Sequence, residues 1–165
     1  MTLYKLAKNE DLAGMLARIA ALPRPHAINE LRYRGVSGWT ALHFALIEDC
    51  SLELLEAISD VMKDDPSKTN LFEVATDEGS FPLNFCACYT TQVSVLQFVI
   101  DKFPHAFGVV RRTSKHHDNS PLALARRSNM DRDNYAAILR CLEDNTARYP
   151  ALKNDAHCQV AALPF

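Results

Sequence analysis

Cys86, Cys88, His116 and His117 are the four side chains whose chemistry first suggests a site. Two thiolates and two imidazoles are a zinc donor set, but structural zinc sites space their cysteines by two to four residues. Here a single residue separates them, and on a helix two such positions point to nearly opposite faces. Cys86 also stands where similar segments carry Ala45 and Ala125, and a free cysteine packs like a small hydrophobe. Packing is therefore preferred over metal binding, and neither a metal nor another cofactor is expected. Cys50, Cys141 and Cys158 have no histidine or aspartate at a recognisable family spacing, and the sequence alone does not show the electropositive, partly exposed setting a reactive thiol needs. His43 could serve as a general base, yet no motif supplies a nucleophile or carboxylate for it. With 5 glycines, of which only Gly35 and Gly38 are close, no phosphate-binding loop can be built. No catalytic residue is assigned, and enzymatic activity is not expected.

Charge offers a second kind of chemistry. Residues 41–80 carry ten acids against Lys63 and Lys68, whereas residues 111–140 carry seven Arg or Lys against three Asp. Arg111, Arg112, Lys115, His116 and His117 crowd one connector. They could form an electropositive patch for an acidic peptide, a phosphate group or a nucleic-acid backbone. The run is short and lacks interleaved aromatics, so a solvated loop is the preferred reading. The net charge of −2 argues against nucleic acid as an obligatory partner. Charged residues recur too often for a membrane span of about 18 apolar residues, so no membrane insertion is expected. The N-terminal residues lack a secretory apolar core, and five cysteines without an export signal suit reduced thiols. Both point to an intracellular, cytoplasmic setting, with the nucleus left open.

Positioning of these residues follows from a repeat. Gly38-Trp39-Thr40-Ala41-Leu42-His43-Phe44-Ala45 aligns with Gly79-Ser80-Phe81-Pro82-Leu83-Asn84-Phe85-Cys86 and with Asp118-Asn119-Ser120-Pro121-Leu122-Ala123-Leu124-Ala125, at offsets of 41 and 39 residues. Leu52, Leu54, Leu55 and Ile58 match Val93, Val95, Leu96 and Val99 without a gap. Tyr135, Ala137, Ile138 and Cys141 match after an insertion around residues 128–133. Pro25, Pro66, Pro104 and Pro150 keep a similar register, each after a helical pattern that it would end.

Each unit reads as a short helix, a turn, a longer helix and a connector. Thr40 and Ser120 are placed as N-caps, and Pro82 and Pro121 occupy a first helical position. The longer helices are predicted over residues 12–22, 51–63, 93–103 and 134–145, from apolar residues recurring at three and four. The third is apolar nearly all round, as suits an interior unit. Arg140, Glu143 and Asp144 suit a solvent-facing end for the fourth. The first unit is expected to lack its front half. One helix pair cannot bury its own apolar face, so the units must stack.

These residues resemble the ankyrin repeat, whose T-P-L-H-x-A motif opens the first of two antiparallel helices. Thr40-Ala41-Leu42-His43-x-Ala45 follows the motif with Ala for Pro; the second and third copies keep Pro82-Leu83 and Pro121-Leu122. Gly38 and Gly79 match the glycine of the hairpin turn, which Asp118 replaces. The units are longer than the family's roughly 33 residues, like the long, divergent arrays of some protists and microbes. The period would also suit HEAT repeats, but a first helix this short, preceded by a glycine turn, favours ankyrin over HEAT, armadillo or tetratricopeptide arrays.

The resemblance implies an all-α ankyrin-like solenoid with a half unit at residues 1–37, full units at 38–78, 79–117 and 118–153, and a tail at 154–165. It assigns Thr40 and His43 to bracing adjacent turns. It also implies a protein–protein interaction module or scaffold, binding another protein through the concave face. Candidate contacts are Trp39, Ser80 and Asn119 at the turns and Glu48, Tyr89 and Arg127 at the ends of the short helices. Trp39, the only tryptophan, is either an exposed binding hot spot or a packing residue against the neighbouring unit; both stay open.

Overall fold

A computed structural model describes residues 1–107, 120–128, 131 and 133–149; among them the chain is all helical, with no strand. The helices are α1 (Leu3–Lys8), α2 (Leu12–Ala21), α3 (Arg24–Arg32), α4 (Ala41–Ile47), α5 (Leu52–Met62), α6 (Pro82–Tyr89), α7 (Val93–Lys102), α8 (Pro121–Arg127) and α9 (Tyr135–Arg148). Hydroxyl and carboxylate caps start several of them. Asp11 accepts from the Gly14 amide, Ser51 from Leu54 and Ser120 from Ala123, at 2.8, 3.3 and 3.3 Å.

The helices form two rows. In one, α1 packs on α4, α4 on α6 and α6 on α8; in the other, α2 packs on α5, α5 on α7 and α7 on α9. The core lies between the rows, where Leu42, Leu46, Leu54, Leu55, Leu83 and Leu96 are almost fully buried. Helix α7 contacts α5, α6 and α9 and buries Val95, Leu96, Val99 and Ile100, as its nearly uniform apolar surface requires. The exposed Arg140, Glu143 and Asp144 fall on α9.

Two expectations are corrected. The first unit does not lack its front half: α1 precedes α2 and packs on α4. Thr2 caps it as Thr40 and Ser120 head α4 and α8. Nor are the prolines only stops. Pro25 lies at the first positions of α3, which buries Ala27, Ile28 and Leu31, and Pro104 begins a 3-10 turn that buries Phe107. A missing N–H costs nothing at a helix start, so one proline can end one helix and open the next.

The units are tied at both ends of the short helices. At the leading end, residues 35–39 and 76–80 form the same turn: the Gly35 amide donates to the Trp39 carbonyl at 2.7 Å and Thr76 to Ser80 at 3.0 Å. Gly38 and Gly79 both sit at φ 73°. The turns touch, since the Asp77 amide donates to the Ser37 carbonyl at 2.9 Å and Arg34 reaches Asp77 and the Ala75 carbonyl. At the trailing end, the Asp49 carboxylate accepts from the Thr90 hydroxyl (2.8 Å), the Thr91 amide (3.0 Å) and the Thr91 hydroxyl (2.5 Å). One unit further, Asn134 donates to the Thr91 carbonyl at 3.0 Å. Leading end meets leading end and trailing end meets trailing end, so α4 and α6 run parallel.

Both ties can be tested by substitution. A Cβ at Gly38 would stand 2.9 Å from the Asp77 backbone nitrogen, on top of the cost of a left-handed conformation. Gly38→Ala is expected to lower unfolding stability by about 1–2 kcal/mol in urea titration. Asp49→Ala removes three accepted hydrogen bonds at a residue with φ 49° and should cost about 2–3 kcal/mol. Unchanged urea midpoints would show that these ties do not hold the rows together.

Candidate functional site

Thr40 and His43 form the best-defined polar arrangement in the chain. Both are fully buried at the head of α4. His43 Nδ1 accepts from the Thr40 amide at 3.0 Å and lies 2.9 Å from Thr40 Oγ1. The neutral ring then carries its proton on Nε2, which is buried without a hydrogen-bond partner among the described residues. The Val74 backbone favours a proton on the ring without completing a well-aligned bond. In α6 the equivalent side chain is Asn84, whose Oδ1 accepts from the Phe81 amide at 3.0 Å. An acceptor three residues into the helix therefore serves both units, although only one uses histidine.

Around His43 lies an aromatic seam. Trp39 packs 4.9 Å from Phe44 in its own unit and 4.9 Å from Phe85 in the next, while His43 packs edge-on to Phe85 at 5.3 Å. Trp39 is thus half-buried and joins two units. Truncating it would remove ring contacts from the junction itself, so it packs on the neighbouring unit. The seam continues through Tyr4, 5.4 Å from Phe44, to Tyr33, 5.1 Å from Tyr4 and 55% exposed.

Helical register explains this row. Phe44, Phe85 and Leu124 each stand four residues after the N-cap of α4, α6 and α8; Tyr4, two residues after the Thr2 cap of α1, packs on Phe44, and all four are half-buried. Phe44 and Phe85 pack partly against the core and keep part of their rings open. One turn further along the same side come Lys8, Glu48, Tyr89 and Ser128. Glu48 and Tyr89 are exposed there and Ser80 is half-buried in its turn. Arg127 is exposed at the end of α8, while Asn119 lies outside the described residues. The Phe44–Phe85 correspondence is visible in the aligned repeats, whereas Tyr4 stands outside their register and its contact with Phe44 was not read from the sequence.

Cys50 and Cys141 occupy surroundings that disfavour the thiolate. Burial, and then the Asp49 charge, push the Cys50 thiol up to about 12. Burial likewise raises Cys141. Cys86 is buried and Cys88 half-buried in α6. Among the described residues no three His, Cys, Asp or Glu side chains gather as a metal site. His116, His117, Cys158 and the basic connector residues Arg111, Arg112 and Lys115 lie outside those residues, as does the 154–165 tail. No helix of the described residues is long and apolar enough to cross a membrane.

His43 gives the fold a pH dependence of definite sign. Desolvation by burial, opposed by the Val74 backbone and assisted by the Arg34 charge, lowers it from 6.5 to about 4. The unfolded chain therefore binds a proton that the folded chain refuses. Its contribution to stability is complete above the unfolded value and is lost as pH falls from 6.5 to 4. The loss is about 3 kcal/mol. Urea unfolding across this interval should show that decline, and His43→Asn, which keeps an acceptor like that of Asn84, should flatten it. An unchanged slope in His43→Asn would assign the proton uptake elsewhere.

No protein-family model, curated protein or solved structure matches the chain.

Proposed function

We propose that the chain is an ankyrin-like solenoid acting as a non-enzymatic protein–protein interaction module, with the outer side of its short helices as the binding face. The observation that carries this reading is the half-buried row of Phe44, Phe85 and Leu124, set at one register position in successive short helices and extended by Tyr4 packed on Phe44. Aromatic side chains present large contact areas with few rotatable bonds, which is why they anchor protein interfaces. The parallel short helices and the shared turn geometry at Gly38 and Gly79 support the ankyrin-like description. The unreactive surroundings of Cys50 and Cys141 agree with a role without a chemical step. Such a module acts in the cytoplasm or nucleus, where its cysteines stay reduced.

Tyr33 and Tyr89, 55% and 49% exposed at opposite ends of the face, are better probes of binding than Trp39, whose contacts also hold the fold. The double variant Tyr33→Ala/Tyr89→Ala should keep its melting temperature while its capture of a crosslinked partner falls about tenfold. Arg140→Ala, on the exposed side of α9, should leave capture unchanged. Equal capture by the tyrosine variant would rule out this face.

A further inference from the structure

The charge around the aromatic row is not random. Between residues 35 and 100 the only Lys or Arg residues are Lys63 and Lys68, both in the connector after α5. Helices α4, α6 and α7 up to Ile100, and both glycine turns, carry none. Glu48 stands exposed at the trailing end of α4, and Glu78 stands exposed in the turn leading into α6. Since α4 and α6 run parallel, these two carboxylates bracket the Phe44–Phe85 step from opposite edges. Neither is joined by an ion pair to a described residue, whereas Asp77 is held by Arg34 and Asp60 by Arg24 and Lys63. The acidic field is also bounded. Lys5 and Lys8 lie on α1 to one side, and Arg126 and Arg127 end α8 on the other.

We propose that the α4–α6 part of this face takes a basic segment of the partner protein, bearing arginine or lysine; this rests on the protein-binding reading above. A guanidinium can stack on the exposed Tyr89 ring while pairing with Glu48, one of the pairings that makes arginine common at interfaces. A second cation two or more residues away reaches Glu78 at the opposite edge. Between them, an apolar side chain covers the Trp39, Phe44 and Phe85 rings. An acidic segment would meet unpaired carboxylates at both edges, so the same arrangement rejects it. The cations of α1 and α8 confine the segment to these two middle units.

A short fluorescein-labelled peptide of alternating arginine and leucine, with a glutamate–leucine counterpart, tests this on the full chain. Peptide anisotropy gives affinity, and emission of Trp39, the single tryptophan, reports contact at the seam. The basic peptide should bind saturably with a change in Trp39 emission, and the acidic one should not. Glu48→Lys/Glu78→Lys should weaken binding at least about tenfold. Glu53→Lys/Glu56→Lys, which alters net charge equally on α5 in the other row, should have little effect, with melting temperatures checked for all variants. Equal losses from the two double variants, or equal binding of both peptides, would overturn the proposal.

A photoreactive benzophenone side chain in place of Tyr89 separates this inference from the function it rests on. Sequencing the partner segment attached there supports the inference if that segment is basic. A neutral or acidic segment overturns the inference and leaves the protein-binding face standing. Crosslinking from position 140 on α9 but not from 89 overturns both.

Discussion

None of these helix pairs can exist alone, and the structure follows from that constraint. The short helices have six to eight residues, too few to be stable without packing. Each spends one side on the core between the rows and one or both flanks on neighbouring short helices. The ties at the two ends then fix how neighbours meet. Turn 35–39 bonds to turn 76–80, and Asp49 bonds to Thr90 and Thr91. Two points of attachment at opposite ends of a short helix leave it little freedom to rotate, which fixes the side that remains outward.

That outward side is the consequence with functional weight. A helix buried on its inner side and both flanks retains one strip, and here the strip carries Tyr4, Phe44, Phe85 and Leu124. Phe44 and Phe85 rest partly on the core that Leu42, Leu46 and Leu83 fill, and are only half-buried there. Part of their ring area is used between units, as Trp39 and Phe85 show, and the remainder stays open. The geometry that makes a regular row of neighbours thus also makes a regular row of contacts. The cysteines take the opposite role: Cys86, on the inner side of α6, fills space beside Ala87 and offers no surface.

Much of the fold was legible because turns and helix starts obey local rules. Gly38 and Gly79 needed positive φ, and the spacing between them gave the period directly. Two features were hidden for physical reasons. Helix α1 has a Thr cap but lacks the Leu-His or Pro-Leu centre of the other short helices, so the repeat motif does not reveal it. Helix α3 begins with a proline, which in sequence looks the same whether it ends one helix or starts another; the Ala27, Ile28, Leu31 spacing was the available signal. Of the candidate site, the Thr40–His43 pairing was implied by the ankyrin resemblance, and Asn84 keeps the same acceptor where the second copy departs from the motif. The Trp39 environment could not, because a residue just after a turn can face solvent or a neighbour equally well. The Asp49 clamp is non-local by about forty residues and left no mark except an aspartate able to adopt a left-handed backbone.

Stability and the proposed binding meet at one seam. Trp39 lies between Phe44 and Phe85, and His43 sits beneath it against the same Phe85 ring. Opening the contact between α4 and α6 would expose all four rings and admit water to the His43 nitrogen that has no hydrogen-bond partner among the described residues. A ligand covering Trp39 and Phe85 binds the closed junction better than the open one, and by mass action must stabilise it. A proton on His43 acts in reverse, because it removes the acceptor that heads α4. Partner and proton thus draw on the same equilibrium with opposite sign. Their antagonism requires no second site, only that the least conventional contact in the stack, a tryptophan after a turn glycine, lies between the core histidine and the outer face.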